Sequence, residues 1–588
     1  MCLRHVLALS LLGLIGSSAA FAQTPPPSNT PINAVERTAA TTTARLLPAS
    51  AWEGHAATRA SVTRYTEHMM ADFYHADAPG AAVLVARGDE VLYRGARGLA
   101  DVKTGTPLTP DSVFRIGSIS KQFAAAGLLK LVEAGKLSLN DPLSKFVPNF
   151  PNGKHITVLE LLNHTSGVKD YTRIAGWADG PLDTPMSTAQ LIATFKNAKP
   201  DFAPGADWAY DNSGYVLVGA VIEAVTGQPW YVYLNRTLFE PLGMTHTGYG
   251  ADPKFAAQEV HGYSLNDGKV VPAKVINMTI PGAAGGLVST VDDLLKWNLA
   301  LHEGRVLKSA TYTQMIIPVG KAIGAHYGFG IERTTVQGQP MLEHDGGIFG
   351  FASMLEYVPG QDISVIVLQN NDSNDDYKGP DTIARKLAAA ALGEPYPEAT
   401  PIAVNAVTMK QFEGVYRIND HSARVLRVLD GKLTTQRTGG PRSVLIPIAT
   451  DEFLYTNGLD HFTVQRDAAG TVTGMRFFAN GEPPGALVAR TNEPLPSERQ
   501  EVPLLRSALN RVLGTYAAGD MNMKVFLDGI QLKAQMGGQA PIKIFAESPD
   551  LFFMTAVDAT LAFSTGKEQP STVTLNEGGR TMTFRRLP

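Results

Sequence analysis

The sequence has a single cysteine, Cys2, which lies in the first residues of the chain. The remaining residues therefore cannot form a disulfide, a cysteine nucleophile or a zinc–thiolate site. The chain also lacks a G-x-S-x-G motif, which disfavours an α/β-hydrolase, and an H-E-x-x-H motif, which disfavours a zinc hydrolase. These absences exclude thiol chemistry after Cys2 and disfavour two classes of hydrolase.

The charge of the chain is nearly balanced, with 51 basic and 55 acidic residues and a net charge of −4. This small charge gives no reason to expect nucleic acid or an anionic membrane as a partner. Apolar residues make up 44% and charged residues 18% of the chain, which is typical of globular protein. A length of 588 residues is too great for one core and predicts several domains.

The N-terminus carries the pattern of an export signal. A basic start and an apolar run lead to Ala20-Phe21-Ala22, which predicts a signal peptide over residues 1–22 and cleavage before Gln23. Residues 23–60 are rich in Pro, Thr and Ala and are typical of a linker. No later segment of the sequence is long and apolar enough to predict a membrane span. We therefore expect an exported protein, periplasmic or secreted, with no integral membrane segment after cleavage.

Residues 61–395 combine strand-like segments with helix-like segments. Two alternating apolar runs surround Gly88-Asp89 and predict a hairpin, and a second hairpin is predicted around Pro359-Gly360. Apolar helical runs fill the region between the two hairpins. Strands at both ends and helices in the middle predict an α+β fold, in which helices flank an antiparallel sheet.

The C-terminal part of the sequence contains two similar β-rich stretches, which we place at residues 405–492 and 504–588. The segments GVYRI and DEFLY in the first stretch correspond to GTYAA and DLFFM in the second, and LDGKL corresponds to LDGIQL. The spacing of about one hundred residues is longer than a solenoid repeat and predicts a duplicated small barrel. The chain is thus expected to end in two all-β barrel domains.

A serine and a lysine stand three residues apart at Ser118 and Lys121, where the apolar helical run FAAAGLLKLVEAG begins. Residues at this spacing lie on one helix face, so the amine can reach the hydroxyl and take its proton. Burial and the positive end of the helix dipole both favour the neutral amine that such a base requires. The same residues also fit a plainer interpretation, in which Ser118 caps the helix and Lys121 is solvated.

The S-x-x-K spacing occurs twice more, beginning at Ser166 and at Ser564. Gly167 interrupts the first of these matches, and the second lies in a glycine-containing turn of the last β-rich stretch. Neither match opens a long apolar helix. The context therefore favours Ser118 as the nucleophile.

A second group must return the proton to the leaving atom, and a tyrosine can do this if cations stabilise its phenolate. Three Y-x-N triplets occur, beginning at Tyr210, Tyr233 and Tyr455. Only Tyr210 directly precedes an apolar helix, so we predict that it lies in an ordered loop at a helix start. Tyr233 is expected within a helix, and Tyr455 is expected in a strand of a repeat.

A third element should be a glycine-rich strand edge that presents backbone N–H groups to the substrate. The segment Lys103-Thr104-Gly105 precedes the nucleophile and is interpreted as a turn. Of the His-x-Gly triplets, only His344-Asp345-Gly346 runs into a glycine-rich strand, where a substrate can approach the backbone closely. The histidines of the other triplets are expected in turns or at the surface; they are His246, His302 and His326.

Five segments occur in the order found in the serine β-lactamase-like hydrolases, and together they resemble that family. They are FRIGSISKQFAAAGLLKLVEAG, ITVLELLNHTSGV, YDNSGYVLVGAVIEAVTG, AAGGLVSTVDDLLKW and HDGGIFGF. The family includes class C β-lactamases, DD-peptidases, D-aminopeptidases and carboxylesterases. The resemblance implies the fold of that family, which has a helical subdomain beside its sheet. The tandem repeats resemble the lipocalin-like barrels appended to D-aminopeptidases of the family.

The resemblance implies a role for each residue of the first two motifs. Ser118 would be the acylated nucleophile, and Lys121 and Tyr210 would share the proton transfers. Asn212, two residues after Tyr210, would orient the lysine and the substrate amide. No metal and no cofactor would take part in this chemistry.

The resemblance also implies how the His-x-Gly segment would act. Gly346 and Gly347 would line the substrate edge, and the N–H groups of Ser118 and Gly347 would form the oxyanion hole. His344 stands where class C β-lactamases carry the lysine of a Lys-Thr-Gly triplet, which helps them to hold a carboxylate. The histidine weakens a β-lactamase interpretation, because DD-peptidases, D-aminopeptidases and esterases of the family use His-x-Gly.

We therefore predict an exported, cofactor-free serine hydrolase that acts through an acyl-enzyme, most like a D-aminopeptidase that cleaves D-residue peptides or amides. A carboxylesterase, a DD-carboxypeptidase or a β-lactamase-type enzyme is the alternative within the same chemistry. From another class, the chain could be a catalytically silent protein that binds cell-wall peptides through its barrels. The expected partner is a small peptide, amide or ester substrate and not nucleic acid, and the sequence leaves the oligomeric state open.

Overall fold

A computed structural model of the protein describes residues 57–174, 176–266, 269–372, 379–396, 401–455, 459–519, 521–537, 541–566 and 568–588. The predicted signal peptide and nearly all of the predicted linker lie outside the described residues. Described residues up to Tyr396 belong to one compact unit, and those from Pro401 onward belong to another. No described helix is both long enough and apolar enough to cross a membrane.

The first unit contains both helices and strands. Its described helices are α1 (Arg59–Phe73), α2 (Ser120–Glu133), α3 (Val158–Leu162), α4 (Thr188–Phe195), α5 (Asn212–Thr226), α6 (Trp230–Leu234), α7 (Glu240–Leu242), α8 (Pro253–Ala256), α9 (Val291–His302), α10 (Ser309–Ile316) and α11 (Pro380–Leu392). Its described strands are β1 (Ala81–Arg87), β2 (Glu90–Arg97), β3 (Leu99–Asp101), β4 (Thr106–Pro107), β5 (Phe114–Arg115), β6 (Gly248–Tyr249), β7 (Tyr263–Asn266), β8 (Lys269–Pro272), β9 (Leu287–Ser289), β10 (Glu332–Val336), β11 (Gln339–Ile348), β12 (Phe351–Val358) and β13 (Ile363–Gln369).

The main sheet of the first unit has six strands in the order β10-β11-β12-β13-β1-β2, and its neighbouring strands are antiparallel. The turn at Gly88-Asp89 joins β1 to β2, and the turn that begins at Pro359-Gly360 joins β12 to β13, so both predicted hairpins are confirmed. Pairing of β1 with β13 brings the two ends of the unit together at the centre of the sheet. The predicted α+β class with an antiparallel sheet is confirmed.

Helix α2 lies in the core of the first unit. Its side chains from Ser120 to Leu129 are all buried, as expected for a helix that is apolar on nearly every face. Gly127 has no room for a side chain, since a Cβ there would lie 2.2 Å from Leu234 on α6. The helix ends just before Gly135, whose φ of +65° is the left-handed conformation that glycine adopts readily after a helix.

The second unit consists of two closed barrels of eight strands, which confirms the predicted duplication. Barrel 1 follows helix α12 (Ala406–Gln411) and has strands β14 (Gly414–Asn419), β15 (Ser422–Leu429), β16 (Lys432–Arg437), β17 (Arg442–Ala449), β18 (Glu452–Tyr455), β19 (His461–Arg466), β20 (Val472–Phe478) and β21 (Ala486–Arg490). Barrel 2 follows helix α13 (Arg506–Val512) and has strands β22 (Gly514–Ala518), β23 (Met521–Asp528), β24 (Gln531–Met536), β25 (Ile542–Ala546), β26 (Leu551–Met554), β27 (Ala559–Phe563), β28 (Thr572–Glu577) and β29 (Arg580–Arg586).

In each barrel, a buried tyrosine on the first strand forms a hydrogen bond to the backbone at the end of the preceding helix. In barrel 1 the Tyr416 hydroxyl donates to the Phe412 carbonyl at 2.7 Å. In barrel 2 the Tyr516 hydroxyl donates to the Val512 carbonyl at 2.9 Å. A buried tyrosine needs a partner for its hydroxyl, and both barrels supply it from the same place. The two domains are therefore equivalent in detail as well as in strand number.

Strand pairing aligns the two barrels residue by residue. Tyr416 pairs with Arg424 across β14 and β15, and Tyr516 pairs with Met523 across β22 and β23. Arg424 therefore corresponds to Met523, at a spacing of 99 residues. The sequence segments LDGKL and LDGIQL differ in length, so their match implies a spacing of 98 at the first leucine and of 99 at the last. A slip of one residue exchanges the two faces of a strand, so only the strand pairing shows which side chains share the interior.

Candidate active site

The predicted nucleophile and its lysine meet at the start of helix α2. Ser118 lies in a short 3-10 turn, Gly117–Ile119, and Lys121 lies in the first turn of the α-helix that follows. The Lys121 Nζ is 2.9 Å from the Ser118 Oγ. Lys121 is fully buried, whereas Ser118 is partly exposed. The plainer interpretation, in which this lysine is solvated, is therefore wrong.

The lysine nitrogen has two further partners at the same distance. Nζ is 2.9 Å from the Asn212 Oδ1 and 2.9 Å from the backbone carbonyl oxygen of Ala284. An ammonium can donate to both of these oxygens and to Ser118 Oγ. A neutral amine can still donate to the first two and accept the serine O–H. The nitrogen thus keeps one position in both protonation states, and a proton can move between Oγ and Nζ without rearrangement.

Asn212 is fixed at the start of helix α5. The carboxylate of Asp211 caps this helix by accepting the Gly214 N–H, and the Asp211 N–H donates to His164 Nδ1 at 3.2 Å. The Nδ2 of Asn212 lies 3.5 Å from a carboxylate oxygen of Asp170, so the amide oxygen is turned towards the lysine. Burial raises the pKa of Asp211 to about 7.

Tyr210 lies in the extended segment before α5, as predicted, and is nearly buried. Lys121 Nζ lies 4.7 Å from the centre of its ring, within the range of a cation–π contact. The ring of His164 lies 4.3 Å from the Tyr210 ring, and the ring of Tyr327 lies 6.0 Å away in an edge-to-face arrangement. The phenol is therefore held between a cation and two further rings.

His344 lies on β11, and both of its ring nitrogens have protein partners. Nδ1 is 2.6 Å from the Asp345 carbonyl oxygen, and Nε2 is 2.8 Å from the Tyr327 hydroxyl. A carbonyl can only accept, so Nδ1 carries the proton and Nε2 accepts the tyrosine O–H. Burial and the charge of Lys121 lower the pKa of His344 to about 3. The imidazole is therefore neutral near pH 7 and holds Tyr327 in place.

Glycines let strand β11 touch the turn that carries the nucleophile. A Cβ on Gly346 would lie 2.1 Å from the Ile116 carbonyl oxygen, and a Cβ on Gly117 would lie 2.7 Å from the Gly347 nitrogen. Gly117 also has a φ of +49°, which favours glycine. The backbone that leads into Ser118 is thus adjacent to Gly346 and Gly347, as an oxyanion hole built from both segments requires. The hole itself stays a prediction.

The competing S-x-x-K matches have other partners. Ser166 Oγ accepts the Val168 N–H at 3.2 Å, and Lys169 forms an ion pair with Asp201 at 2.7 Å. This serine and lysine are therefore separately engaged, although their spacing equals that of the buried pair on α2. The lysine of the third match lies outside the described residues.

The other rejected motifs also have the structures that the sequence predicts. Tyr233 lies in α6 and donates to the Gly127 carbonyl at 3.2 Å, and Tyr455 lies in β18. The segment from Lys103 to Gly105 forms the turn between β3 and β4. His246 and His326 are exposed, as predicted.

The surface prediction for His302 is wrong. This residue ends α9 and is buried, because its ring stacks on Tyr357 at 4.0 Å and its Nδ1 is 2.7 Å from the Tyr312 hydroxyl. Burial lowers the pKa of His302 to about 3. The His-x-Gly pattern does not show that Tyr357 on β12 covers this histidine.

His302 should make the stability of the first unit depend on pH. Its folded pKa lies below the unfolded value of about 6.5, so the stability that it supplies above pH 6.5 is lost as the pH falls towards 3. Between pH 7 and pH 5 the wild type should lose about 2 kcal/mol more free energy of unfolding than His302→Phe. Urea unfolding of both proteins at the two pH values measures this difference, and equal losses would contradict the account.

Sequence reasoning missed two buried rings that hold the predicted residues in place. Tyr327 bonds to His344 and packs on Tyr210, and His164 packs on Tyr210 and bonds to the backbone of Asp211. His164 belongs to one of the segments that resemble the family, but the resemblance implies no role for it. Among the described residues, no group of three or more His, Cys, Asp or Glu side chains could hold a metal ion.

Comparison with known families agrees with this geometry. The family model described as Beta-lactamase matches residues 62–390, which is more than half of the chain. The protein belongs to the Beta-lactamase family, a group of serine hydrolases that share this fold. The resemblance found in the five sequence segments is thereby confirmed.

Three curated relatives show the range of this family. A penicillin-binding protein of Bacillus subtilis (strain 168) is 26% identical over 66% of this chain and 90% of its own length. A D-aminopeptidase of Gluconobacter oxydans is 28% identical over 54% of this chain and 60% of its own length. Esterase EstB of Burkholderia gladioli is 29% identical over 53% of this chain and 91% of its own length.

Two solved structures resemble this chain. The D-amino acid amidase from Ochrobactrum anthropi SV3, complexed with L-phenylalanine amide, is 25% identical, and the match covers 56% of this chain and 98% of the amidase with a TM-score of 0.50. The octameric penicillin-binding protein homologue from Pyrococcus abyssi is 23% identical over 81% of this chain and 97% of its own, with a TM-score of 0.51. The second likeness concerns the fold alone.

Proposed function

We propose that the protein is an exported serine hydrolase that forms an acyl-enzyme on Ser118 and cleaves D-residue peptides or amides. One observation carries the catalytic part of this proposal: the buried Lys121 Nζ lies 2.9 Å from the partly exposed Ser118 Oγ. A serine hydroxyl becomes a useful nucleophile when an adjacent base takes its proton. The N-terminal signal pattern supports export to the periplasm or the medium.

In the proposed acylation, Ser118 Oγ attacks the substrate carbonyl carbon while its proton moves to Lys121 Nζ. The tetrahedral intermediate then expels the leaving nitrogen, which takes a proton delivered through Lys121 and Tyr210. An ester on Ser118 remains. In deacylation a water molecule attacks this ester, gives its proton to the same pair of side chains, and releases the acid as Ser118 regains its hydroxyl proton.

The state of His344 bears on the substrate. Enzymes that require a free carboxylate beside the scissile bond benefit from a fixed cation at this strand. His344 is neutral, and its two nitrogens are bonded to Asp345 and Tyr327. This arrangement favours a peptide, amide or ester substrate over a β-lactam.

The relatives support D-residue substrates and name the main alternative. The D-aminopeptidase and the D-amino acid amidase both resemble this chain, and the second aligns over 98% of its own length. Because the D-aminopeptidase is matched over only 60% of its length, its activity comes to this chain as a proposal. An esterase is the second candidate, since EstB is matched over 91% of its length.

Hydrolysis of D-alanine p-nitroanilide and of its L enantiomer tests the proposal. We expect kcat/KM to be about 100-fold larger for the D form. In the L form the side chain points away from its pocket, so the transition state loses the contacts that the pocket provides. p-Nitrophenyl butyrate serves as the ester probe. Rapid ester cleavage without anilide cleavage would favour the esterase, and a preference for the L anilide would contradict the D-residue proposal.

A further inference from the structure

Two arginines lie side by side on adjacent strands of barrel 1. Arg424 on β15 and Arg437 on β16 are direct pairing partners. Side chains alternate between the two faces of a strand, so Arg424 shares a face with Leu426, which belongs to the core of the barrel. Arg424 is 8% exposed, whereas Arg437 is exposed. One guanidinium therefore lies inside the barrel, and the other lies closer to solvent at the same level.

The buried guanidinium is only partly satisfied by its neighbours. Its Nη1 donates to the Tyr455 hydroxyl, and its Cζ lies 4.3 Å from the Phe477 ring centre and 5.4 Å from that of Tyr455. Its Nε is buried and has no acceptor. The Nε and Nη2 groups form the edge that binds a carboxylate through two hydrogen bonds, and this edge has no partner among the described residues.

No carboxylate of the described residues forms an ion pair with either arginine. The carboxylate of Asp460 lies close enough to Tyr455 to interact with it electrostatically. This carboxylate accepts the Asn480 N–H at 2.7 Å and forms no ion pair with Arg424 or Arg437. Partial desolvation of its guanidinium beside the barrel and the charge of Arg424 lower the pKa of Arg437, although the residue as a whole is exposed. A buried charge without a counter-ion is costly, and like charges opposite each other on a sheet add to the cost.

Barrel 2 shows that the fold does not need these arginines. The strand pairing places Met523 and Met536 where barrel 1 has Arg424 and Arg437. Met554 stands in the position of Tyr455, and all three methionines belong to the apolar core of barrel 2. Barrel 2 thus fills these three positions with apolar side chains, whereas barrel 1 has two arginines and a tyrosine there.

We propose that barrel 1 binds a small organic carboxylate, held by the buried edge of Arg424 and by Arg437, with its apolar part against Phe477 and Tyr455. The carboxylate supplies the counter-ion that the chain itself does not place there, and its planar shape matches the guanidinium fork. This site is separate from the Ser118 chemistry and does not depend on the proposed hydrolase activity.

Calorimetric titration of the full-length mature protein with benzoate tests the proposal, with benzamide as the neutral probe of the same shape. We expect benzoate to bind with one site per chain, and benzamide to bind at least about tenfold more weakly. Arg424→Met, which installs the residue of barrel 2, should weaken benzoate binding at least about tenfold. Arg417→Met should leave it unchanged, since Arg417 is paired with Glu493 at the surface of the same barrel.

Each other result has a defined meaning. Benzoate binding that survives Arg424→Met, or no benzoate binding by the wild type, would overturn the proposal. Binding that is lost in Ser118→Ala would place benzoate at the hydrolase site and would also overturn it. If Arg424→Met does not fold, Arg437→Gln on the exposed side replaces it and must weaken binding in the same way. Inorganic phosphate is titrated in parallel, and a preference for phosphate over benzoate would contradict the carboxylate assignment.

Discussion

Ser118→Ala should lower kcat for the preferred substrate by about 10,000-fold or more, because the proposed mechanism forms its ester intermediate on the Ser118 hydroxyl. The variant removes one partly exposed oxygen atom, so the free energy of unfolding should change little. Initial rates with D-alanine p-nitroanilide or p-nitrophenyl butyrate, taken beside thermal unfolding, measure both effects.

Ser166→Ala is the matched control for this substitution. Ser166 has the same spacing to a lysine, but its Oγ accepts the Val168 N–H and its lysine pairs with Asp201. The control should therefore keep the wild-type kcat. Turnover that survives in Ser118→Ala, or that is lost only in Ser166→Ala, would show that the nucleophile is assigned to the wrong residue.

Lys121→Met should lower kcat by about 1,000-fold while leaving the protein folded, since a positioned base contributes a factor of this size. Methionine has a similar length and fills the buried space without an amine. It leaves the Asn212 Oδ1 and Ala284 carbonyl oxygens without their donor, which costs stability, but it also removes the desolvation cost of a buried amine. The free energy of unfolding should thus change by no more than about 2 kcal/mol.

Lys169→Met is the corresponding control. The partly exposed ion pair of Lys169 with Asp201 is worth at most about 1 kcal/mol. We expect unchanged kcat and KM for this variant. A large kcat for Lys121→Met, with normal unfolding, would exclude Lys121 as the proton carrier and transfer that role to Tyr210.

The sequence predicts the contacts that depend on short spacing. Ser118 and Lys121 are neighbours on one helix start, and Tyr210 and Asn212 flank another, so local periodicity is sufficient to place them. The contacts that join these elements come from distant segments. Ala284, Tyr327 and His164 lie in segments whose patterns assign them no role, and their positions depend on how the helices and strands pack.

The barrels show a different limit of sequence reasoning. Short similar segments reveal the duplication, because both copies keep the same first strand and the same aromatic run. They do not fix the register, since the LDG segments differ in length and imply a spacing of 98 at one end and 99 at the other, and a slip of one residue exchanges the faces of a strand. The substitution of two methionines by Arg424 and Arg437 becomes visible only when the pairing of the strands is known.

The most direct test of the central claim is to trap the acyl-enzyme and locate it. The protein is mixed with a D-phenylalanine ester, quenched in acid within the first turnover, digested, and analysed by mass spectrometry. The account predicts the mass of the D-phenylalanyl group on the peptide that contains Ser118, and its absence from Ser118→Ala. An adduct on another residue, or turnover with no adduct at any quench time and no burst of product, would contradict it.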